Sequence, residues 1–424
     1  MALARTLAAR RLYYGWYILG TAFMVNFVTV GMNSYTPAVF LKPMTQELGW
    51  SRGFFSLSVS LSGLMSAPLA LVVGPLVDRR GGRALMLAGG VAMGAALIAL
   101  GLVYEKWQFI ALRSILAPLA MAGVGQLVTQ VTVSNWFIRK RGRALAILAM
   151  GMSAGAMVAP PLATFLIAAL GWRHAWMVLG LISWVPLLPV VLLMTRRPED
   201  MGLLPDGGAE GGGRERTART AAPETAWSRR AAVRTWAFWL FTLGFPIGIM
   251  GSSAISQHLY SYLTDIHFTP QAAALMTMTL SLAAFLVKPG WGFVSERASP
   301  RYCMVAALTL IGVGLGLLLL AGPHQVRLYA GIAFLGVFYG GTIQLTALLW
   351  ADYFGRMSLG RIQSMAMPIS AVIHPLGPVL AGFMWDITGS YRGIFAAYMG
   401  TQAVAAVLIW MARPPRHKPL PGLR

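Results

Sequence analysis

The sequence predicts an all-α membrane protein with twelve transmembrane helices in two related six-helix bundles. Of its 424 residues, 57% are hydrophobic and only 11% are charged, which leaves too little polar surface for a water-soluble globule. Apolar runs long enough to cross a hydrocarbon layer of about 30 Å recur along the chain. These runs lack the period-two alternation of outer-membrane strands, which favours helices. The second half of the chain also repeats features of the first.

Apolar runs and the charges between them set the expected bounds of the helices. A bilayer core offers no water to the backbone, so each run must satisfy its own hydrogen bonds as a helix. Six runs precede a polar central segment and six follow it. The expected ranges are 14–40, 52–75, 84–102, 108–136, 144–170 and 175–194, then 235–262, 270–294, 302–321, 326–353, 362–388 and 391–411.

The central segment is rich in Gly, Arg, Pro and Glu and has no sustained aliphatic run. Such a composition cannot bury a core and is typical of a flexible linker. The sequence therefore predicts a first bundle over 1–194, a cytoplasmic linker over 195–234, and a second bundle with a short cytoplasmic tail over 235–424. We expect residues 195–230 to be loosely packed outside the membrane.

The formal net charge of +21 is concentrated in alternate loops. This positive-inside pattern indicates a multi-pass protein of the bacterial inner membrane with both termini in the cytoplasm. It also disfavours a nucleic-acid-binding protein, for which a basic surface would otherwise argue. The apolar run after the N-terminal arginines is longer than a signal-peptide core, so we expect an uncleaved first helix. The outer side is the sparser one and holds Lys42, Arg52, Lys106, Arg173, Arg327 and Arg392.

The second half repeats the first at a constant offset of 218 residues, without a gap. The matches include charged residues at helix ends, which a composition rich in Gly and Ala does not explain. A parallel internal repeat places a central cavity between the halves and is typical of alternating-access carriers. The matched pairs are Glu47 and Asp265, Gly74 and Gly292, Asp78 and Glu296, Arg79 and Arg297, Gln126 and Gln344, Arg143 and Arg361, and Pro160 and Pro378.

A motif joins the second and third predicted helices, Gly74-Pro-Leu-Val-Asp78-Arg79-Arg80-Gly81-Gly82-Arg83. It resembles the G-x-x-x-D-R-x-G-x-R signature of the major facilitator superfamily, whose fold of twelve helices in two pseudo-symmetric bundles it implies. A turn fixed by positive charge alone would not need Gly and Asp at this spacing. Because charges that pair in one state and separate in another bias a two-state equilibrium, the motif implies gating. The implied gating residues are Gly74, Asp78, Arg79, Arg83, Arg143, Gly292, Glu296, Arg297 and Arg361, with Asp78 expected to pair with Arg143 and Glu296 with Arg361.

Several segments look like the monocarboxylate transporter and oxalate/formate antiporter branch of the superfamily. This resemblance implies transport of monocarboxylates or other small organic anions, with protons or by exchange. Branch members use an Arg in helix eight where this chain has Lys288, and animal members place an Asp one turn earlier, where this chain has Ala284. Tyr35 aligns with a functional lysine of the animal carriers, so the site here would hold one cation. The segments are Tyr14-Gly15-Trp16, Val39-Phe40-Leu41-Lys42 and Val287-Lys288-Pro289-Gly290-Trp291-Gly292.

Lys288 is the clearest candidate for the substrate site when the residues are considered without the family resemblance. An ammonium inside a membrane helix is costly and usually faces a cavity or a partner, so Lys288 indicates an anion site. The alternative is that Lys288 extends toward the cytoplasmic headgroups, since it lies about two turns before Glu296.

Polar residues within the apolar spans are the other candidates for substrate binding. The resemblance implies that helices one, four, seven and ten line the cavity, and hydrogen bonding between helices is the alternative role for their polar groups. With Lys288, the candidates are Tyr35, Asn33, Gln126, Tyr339 and Gln344. For proton coupling, His374 and His258 are the candidates because imidazole titrates near physiological pH.

The sequence thus predicts a secondary transporter of a small organic anion, with proton coupling left open. The first rival is a drug exporter of the same fold, which would need a mid-membrane carboxylate. The second is a non-transporting membrane sensor. We find no Walker loop, metal cluster or nucleophile elbow, so we expect no enzyme, no cofactor and no metal. We expect a monomer in the lipid bilayer, and Cys303 is the lone cysteine.

Overall fold

The computed structural model describes residues 13–80, 82–137, 141–195, 198–204, 206, 227–354 and 359–415. These residues form helices joined by short connections, and no strand occurs among them. We number the long helices in chain order. They are α1, Gly15–Leu48; α2, Arg52–Arg80; α3, Gly82–Leu100; α4, residues 106–136; α5, residues 141–170; α6, residues 172–192; α7, Trp236–Asp265; α8, Pro270–Arg297; α9, Pro300–Leu320; α10, Gln325–Phe354; α11, Leu359–Thr388; and α12, Arg392–Met411.

The predicted all-α membrane fold is confirmed. In the described part of the chain, ten helices are long and apolar enough to cross a membrane by length and composition. One of them, Arg143–Pro189, is broken at Gly171, where φ of 76° and ψ of 161° suit only glycine, so it supplies both α5 and α6. Together with α2, these helices make twelve passes.

The helices of the second half follow those of the first at the offset of the sequence repeat. α2 begins at Arg52, and α8 begins at Pro270, 218 residues further along. The pseudo-symmetry therefore extends to this helix boundary. The domain limits 1–194, 195–234 and 235–424 stay a prediction, and linker residues 207–226 lie outside the described residues.

Four helices continue at least three residues beyond their predicted ends. α1 continues to Leu48 rather than residue 40, α2 to Arg80 rather than 75, α7 to Asp265 rather than 262, and α8 to Arg297 rather than 294. An apolar run marks the hydrocarbon layer, but a helix continues beyond it for as long as its backbone bonds internally. α1 ends only where Gly49 adopts a left-handed φ of 66°.

Two helices contain a π-helical turn that the sequence analysis did not predict. One is Gly31–Tyr35 in α1 and the other is Ala111–Leu116 in α4. In a π turn the hydrogen bonds join residues i and i+5, so one extra residue is inserted into the helix. This insertion barely changes the pattern of apolar residues, and the sequence pattern therefore does not predict it. Such turns are frequent at functional sites.

The two halves meet along three helix pairs. α2 packs against α11, α5 packs against α8, and the second part of α1, Pro37–Leu48, packs against α7. Close approach depends on small residues, since a Cβ added to Gly382 of α11 would lie 2.7 Å from the carbonyl oxygen of Arg52 in α2. This packing leaves a cavity between α1 and α5 on one side and α7, α8 and α10 on the other.

Candidate substrate site between the two halves

The central cavity has a volume of about 260 Å³. A smaller space of about 20 Å³ shares Tyr35 and Ser256 with it and extends along α1 toward Pro160. Apart from one ammonium, one amide and several hydroxyl groups, the described lining residues are small or apolar. They are Tyr35, Ala149, Met152, Ser153, Ala156, Ser256, Leu280, Ser281, Ala284, Lys288, Tyr339, Gly340, Ile343, Gln344 and Ala347.

Lys288 enters this cavity from α8. Its Nζ donates a hydrogen bond to Ser153 Oγ of α5, so the side chain crosses from the second half to the first. Its backbone carbonyl accepts from Gln344 Nε2 of α10 at 3.1 Å. Among the described lining residues, Lys288 alone carries a formal charge. This geometry agrees with the cavity alternative and differs from snorkelling, in which Nζ would extend toward the headgroups.

Two tyrosines bring hydroxyl groups to the same cavity. Tyr35 comes from the π turn of α1, and Tyr339 comes from α10, where its hydroxyl bonds to Ser256 of α7. Leu280 and Ile343 provide apolar walls. A cation beside hydroxyl donors and apolar walls can bind a small anion that carries a short apolar group.

Charged residues join the two halves at the end of the molecule where α1 and α7 end. Asp265 of α7 lies 2.9 Å from Lys42 Nζ, and it accepts from Arg52 Nη1 and Nη2 at 2.6 and 3.1 Å. Asp386 of α11 accepts the backbone N–H groups of Arg52 and Gly53, both at 2.8 Å. We call Lys42, Arg52, Asp265 and Asp386 the latch. Because it pairs side chains of α1 and α2 with Asp265 of α7, and the α2 backbone with Asp386 of α11, it joins the two halves at this end.

A buried hydrogen-bond chain continues from the latch. Arg52 Nη1 donates to the Tyr391 hydroxyl at 2.8 Å, and that hydroxyl lies 3.0 Å from His258 Nδ1. A hydroxyl that accepts from Arg52 has its own hydrogen free for Nδ1, and burial raises the pKa of Tyr391 so that this hydrogen is kept. His258 Nε2 can then donate to the Pro378 carbonyl at 2.9 Å. The ring also lies 3.1 Å from Ser56 Oγ, so it connects α7 with α2, α11 and the start of α12.

Two stretches of this sequence, residues 21–272 and 250–424, match the family model described as Major Facilitator Superfamily. Together they cover nearly the whole chain. The chain belongs to the Major Facilitator Superfamily. Its members are transporters, and this agrees with the cavity between two pseudo-symmetric halves.

Similar proteins cover most of the chain. The uncharacterized MFS-type transporter YcxA of Bacillus subtilis is 27% identical over 93% of this chain and 94% of its own length. Monocarboxylate transporter 11 of Mus musculus is 26% identical over 90% of this chain and 83% of its own. The oxalate:formate antiporter of Oxalobacter formigenes is 25% identical over 80% of this chain and 78% of its own. These relatives agree with the branch to which the sequence motifs pointed.

A solved structure shares the fold. The crystal structure of a bacterial homologue of the human lysosomal transporter Spinster, in an inward-facing and unoccupied conformation, superposes with a TM-score of 0.67. The match covers 94% of this chain and 95% of the other at 15% sequence identity. It shows that the helices follow the superfamily fold.

In this superfamily member, the predicted substrate residues separate into two groups. Lys288, Tyr35, Tyr339 and Gln344 line the cavity. Asn33 does not contribute to the described lining, since its side chain accepts a hydrogen bond from Arg113. The Gln126 side chain lies outside the described residues.

The two predicted proton carriers occupy different places. His258 lies in the buried chain behind the latch. His374 lines a separate cavity of about 340 Å³ between α7, α10 and α11, together with Phe245 and Trp350. His258 has hydrogen-bond partners in both halves, namely Ser56 in the first half and Tyr391 in the second.

The predicted gating residues lie at the opposite end of the bundle from the latch. Arg143 is exposed, and Arg297 stays within its own half, with Nη1 3.4 Å from the Phe293 carbonyl oxygen. Arg83 and Gly292 are half-buried. The pairing of Asp78 with Arg143 and of Glu296 with Arg361 stays a prediction, because several of the predicted gating residues have side chains outside the described residues, namely Gly74, Asp78, Arg79, Glu296 and Arg361.

The latch residues and Arg113 are functional candidates that the sequence did not predict. A signal for the latch existed, since the sequence predicts Lys42 and Arg52 on the side with few positive charges, together with Asp265. A signal for Arg113 existed too, because it is a cation within the apolar range 108–136, the same rule that identified Lys288.

Proposed function

We propose that the protein is a secondary transporter that moves a small organic anion, a monocarboxylate, across the membrane by alternating access. The observation that carries the proposal is the single ammonium of Lys288 in a cavity whose other described lining groups are neutral. A cation inside a membrane protein is costly unless it meets a counter-charge. Its Nζ has the Ser153 hydroxyl as a partner, so an anionic ligand would supply the counter-charge.

The chemistry of the cavity suits a carboxylate with a short apolar chain. The hydroxyls of Tyr35 and Tyr339 can donate to carboxylate oxygens beside the ammonium, and Leu280 and Ile343 can contact the apolar part. Lysine is a point charge rather than a planar fork, so it does not demand one bidentate orientation of the carboxylate. A volume of about 260 Å³ limits the ligand to a small molecule.

The latch suits the role of an outer gate. The positive-inside pattern assigns it to the outer face and both termini to the cytoplasm of a bacterial inner-membrane protein. Among the described residues, the ion pairs between the halves are those of the latch. The arrangement is therefore closed toward the outside, and transport requires these pairs to separate in the outward-open state.

The relatives support the substrate class. A monocarboxylate transporter and an oxalate:formate antiporter are both named for small organic anions. If protons couple transport, His258 is the better placed of the two candidate histidines, because its ring is connected to the latch through Tyr391.

A ligand screen followed by counterflow tests the proposal. Purified protein is heated with short monocarboxylates, dicarboxylates or cationic drugs, because a ligand stabilises the state that it binds. We expect monocarboxylates to raise the unfolding temperature and to exchange in liposomes that contain the protein. Stabilisation and exchange by cationic drugs alone would favour an exporter, and the absence of exchange for every bound ligand would favour a sensor.

A further inference from the structure

The two π turns of the first half face each other across one buried contact. Arg113 lies in the π turn of α4, Ala111–Leu116, and Asn33 lies in the π turn of α1, Gly31–Tyr35. Arg113 Nη1 donates to Asn33 Oδ1 at 3.0 Å, and Nη2 donates to the Asn33 backbone carbonyl at 3.2 Å. One guanidinium therefore donates hydrogen bonds to both the side chain and the backbone of Asn33.

Arg113 lacks the partner that a buried cation usually has. Its side chain is 2% exposed, and within the described residues no carboxylate pairs with it. Its Nε has no hydrogen-bond partner there. Removing a guanidinium from water without a counter-charge is costly, so the contact with Asn33 offsets a cost that an apolar residue would avoid.

The α1 backbone has a particular need for this donor. In a regular helix the Asn33 carbonyl would accept from the N–H of the residue four positions later, but that residue is Pro37, which has no N–H. Arg113 Nη2 supplies the missing donor. On its other side the same turn packs closely on α5, where a Cβ added to Gly31 would lie 2.9 Å from the Gly155 carbonyl oxygen.

This turn carries Tyr35 into the central cavity, two residues beyond Asn33. We propose that Arg113 is a positioning residue for the substrate site: it fixes the π turn of α1 and thereby the direction of the Tyr35 hydroxyl. The inference rests on the proposed function, since it assigns Tyr35 to substrate binding. Arg113 is not among the described residues of the cavity lining, so it acts through Tyr35 and does not touch the substrate.

The first test measures transport of the best monocarboxylate from the screen by four proteins: wild type, Arg113→Lys, Tyr35→Phe and the double variant. Lysine keeps the charge but cannot bond both Asn33 oxygens in the fork geometry of arginine. We expect Arg113→Lys to raise KM about tenfold, or about 1.4 kcal/mol, with Vmax within about twofold. In the Tyr35→Phe background the same change should raise KM less than about twofold, because coupled residues give non-additive effects. Additive KM changes, or a fall in Vmax at unchanged KM, would overturn the inference.

The second test needs no ligand and no arginine substitution that risks folding. Tyr35→Cys, with Cys303 replaced by alanine, is labelled with a small thiol reagent, with and without Asn33→Ala, which removes the Oδ1 acceptor and leaves the cation in place. We expect the labelling rate at position 35 to change at least about fivefold, while Ala347→Cys, a position on the same cavity in α10, changes less than about twofold. Equal changes at both positions, or none at position 35, would overturn the inference.

The two tests separate this inference from the proposed function. A labelling change confined to position 35 in a protein that transports no anion would support the positioning role and reject the substrate assignment. Lys288-dependent anion transport with unchanged labelling and additive KM values would support the proposed function and reject the positioning role of Arg113.

Discussion

Replacement of Asp265 by asparagine tests the latch as a gate. Among the described residues, Asp265 is the one carboxylate that forms ion pairs with both Lys42 and Arg52, at 2.9 and 2.6 Å. The substitution keeps the shape of the side chain and removes its charge. The Arg52 side chain is only 4% exposed, so its guanidinium loses its ion pair in a buried position in the closed state.

The size of the effect follows from this burial. Breaking a fully buried ion pair by removing one partner costs about 3–5 kcal/mol. The Asp265 and Lys42 side chains are 22% and 24% exposed, so water screens part of the loss, and we expect about 2–3 kcal/mol. If the lost ion-pair energy destabilises only the closed state, the ratio of open to closed molecules rises by a factor of about 30–150.

Distances between spin labels at the latch end measure this shift. Gln46→Cys in α1 and Gln271→Cys in α8 are exposed positions in the two halves. We expect Asp265→Asn to add a population with a longer distance. Glu47→Gln is the matched control, because Glu47 is the repeat counterpart of Asp265 but binds Arg173 at 3.2 Å within its own half. Equal shifts in both variants, or none with Asp265→Asn, would refute the role of the latch.

Two smaller changes test the surroundings of the latch and the packing of α1. Tyr391→Phe removes the hydroxyl between Arg52 and His258, and we expect a smaller opening, about 1–2 kcal/mol by the same distance measurement, because Arg52 keeps its carboxylate. An opening as large as that of Asp265→Asn would contradict this. Gly31→Ala should destabilise the protein by about 1–3 kcal/mol in thermal unfolding, since its Cβ would overlap the backbone of α5. Gly20→Ala, with no atom within 4 Å of the added Cβ, should be neutral or stabilising, and similar losses in both would reject the packing argument.

Much of the fold could be predicted because it depends on local composition. Apolar runs and the charges between them located the helices, including the starts of α2 at Arg52 and of α8 at Pro270. The π turns could not be predicted, because one inserted residue barely changes an apolar run. Helix ends were also missed, because they depend on backbone bonding beyond the membrane.

The candidate site was predictable only in part. Lys288 stood out because a cation in an apolar helix is costly, but the sequence left the cavity and the headgroups open as its position, and the contact with Ser153 favours the cavity. Asn33 was expected in the cavity because it is polar and lies in α1, but the π turn and Arg113 fix its direction instead. The pairing of Arg52 with Asp265, 213 residues apart, depends on which helix ends meet in one conformation, and nothing local in the sequence encodes that.

Counterflow of a labelled monocarboxylate by Lys288 variants tests the central claim most directly. Lys288→Ala should abolish exchange. The purified protein should still unfold cooperatively near the wild-type temperature, because the substitution replaces a buried charge with an apolar side chain and leaves no unpaired charge behind. Lys288→Arg should keep exchange, since a guanidinium also binds carboxylates. Lys106→Ala, at an exposed position outside the cavity, should exchange as the wild type does. Wild-type exchange by Lys288→Ala would contradict the assignment of the cavity as an organic-anion site.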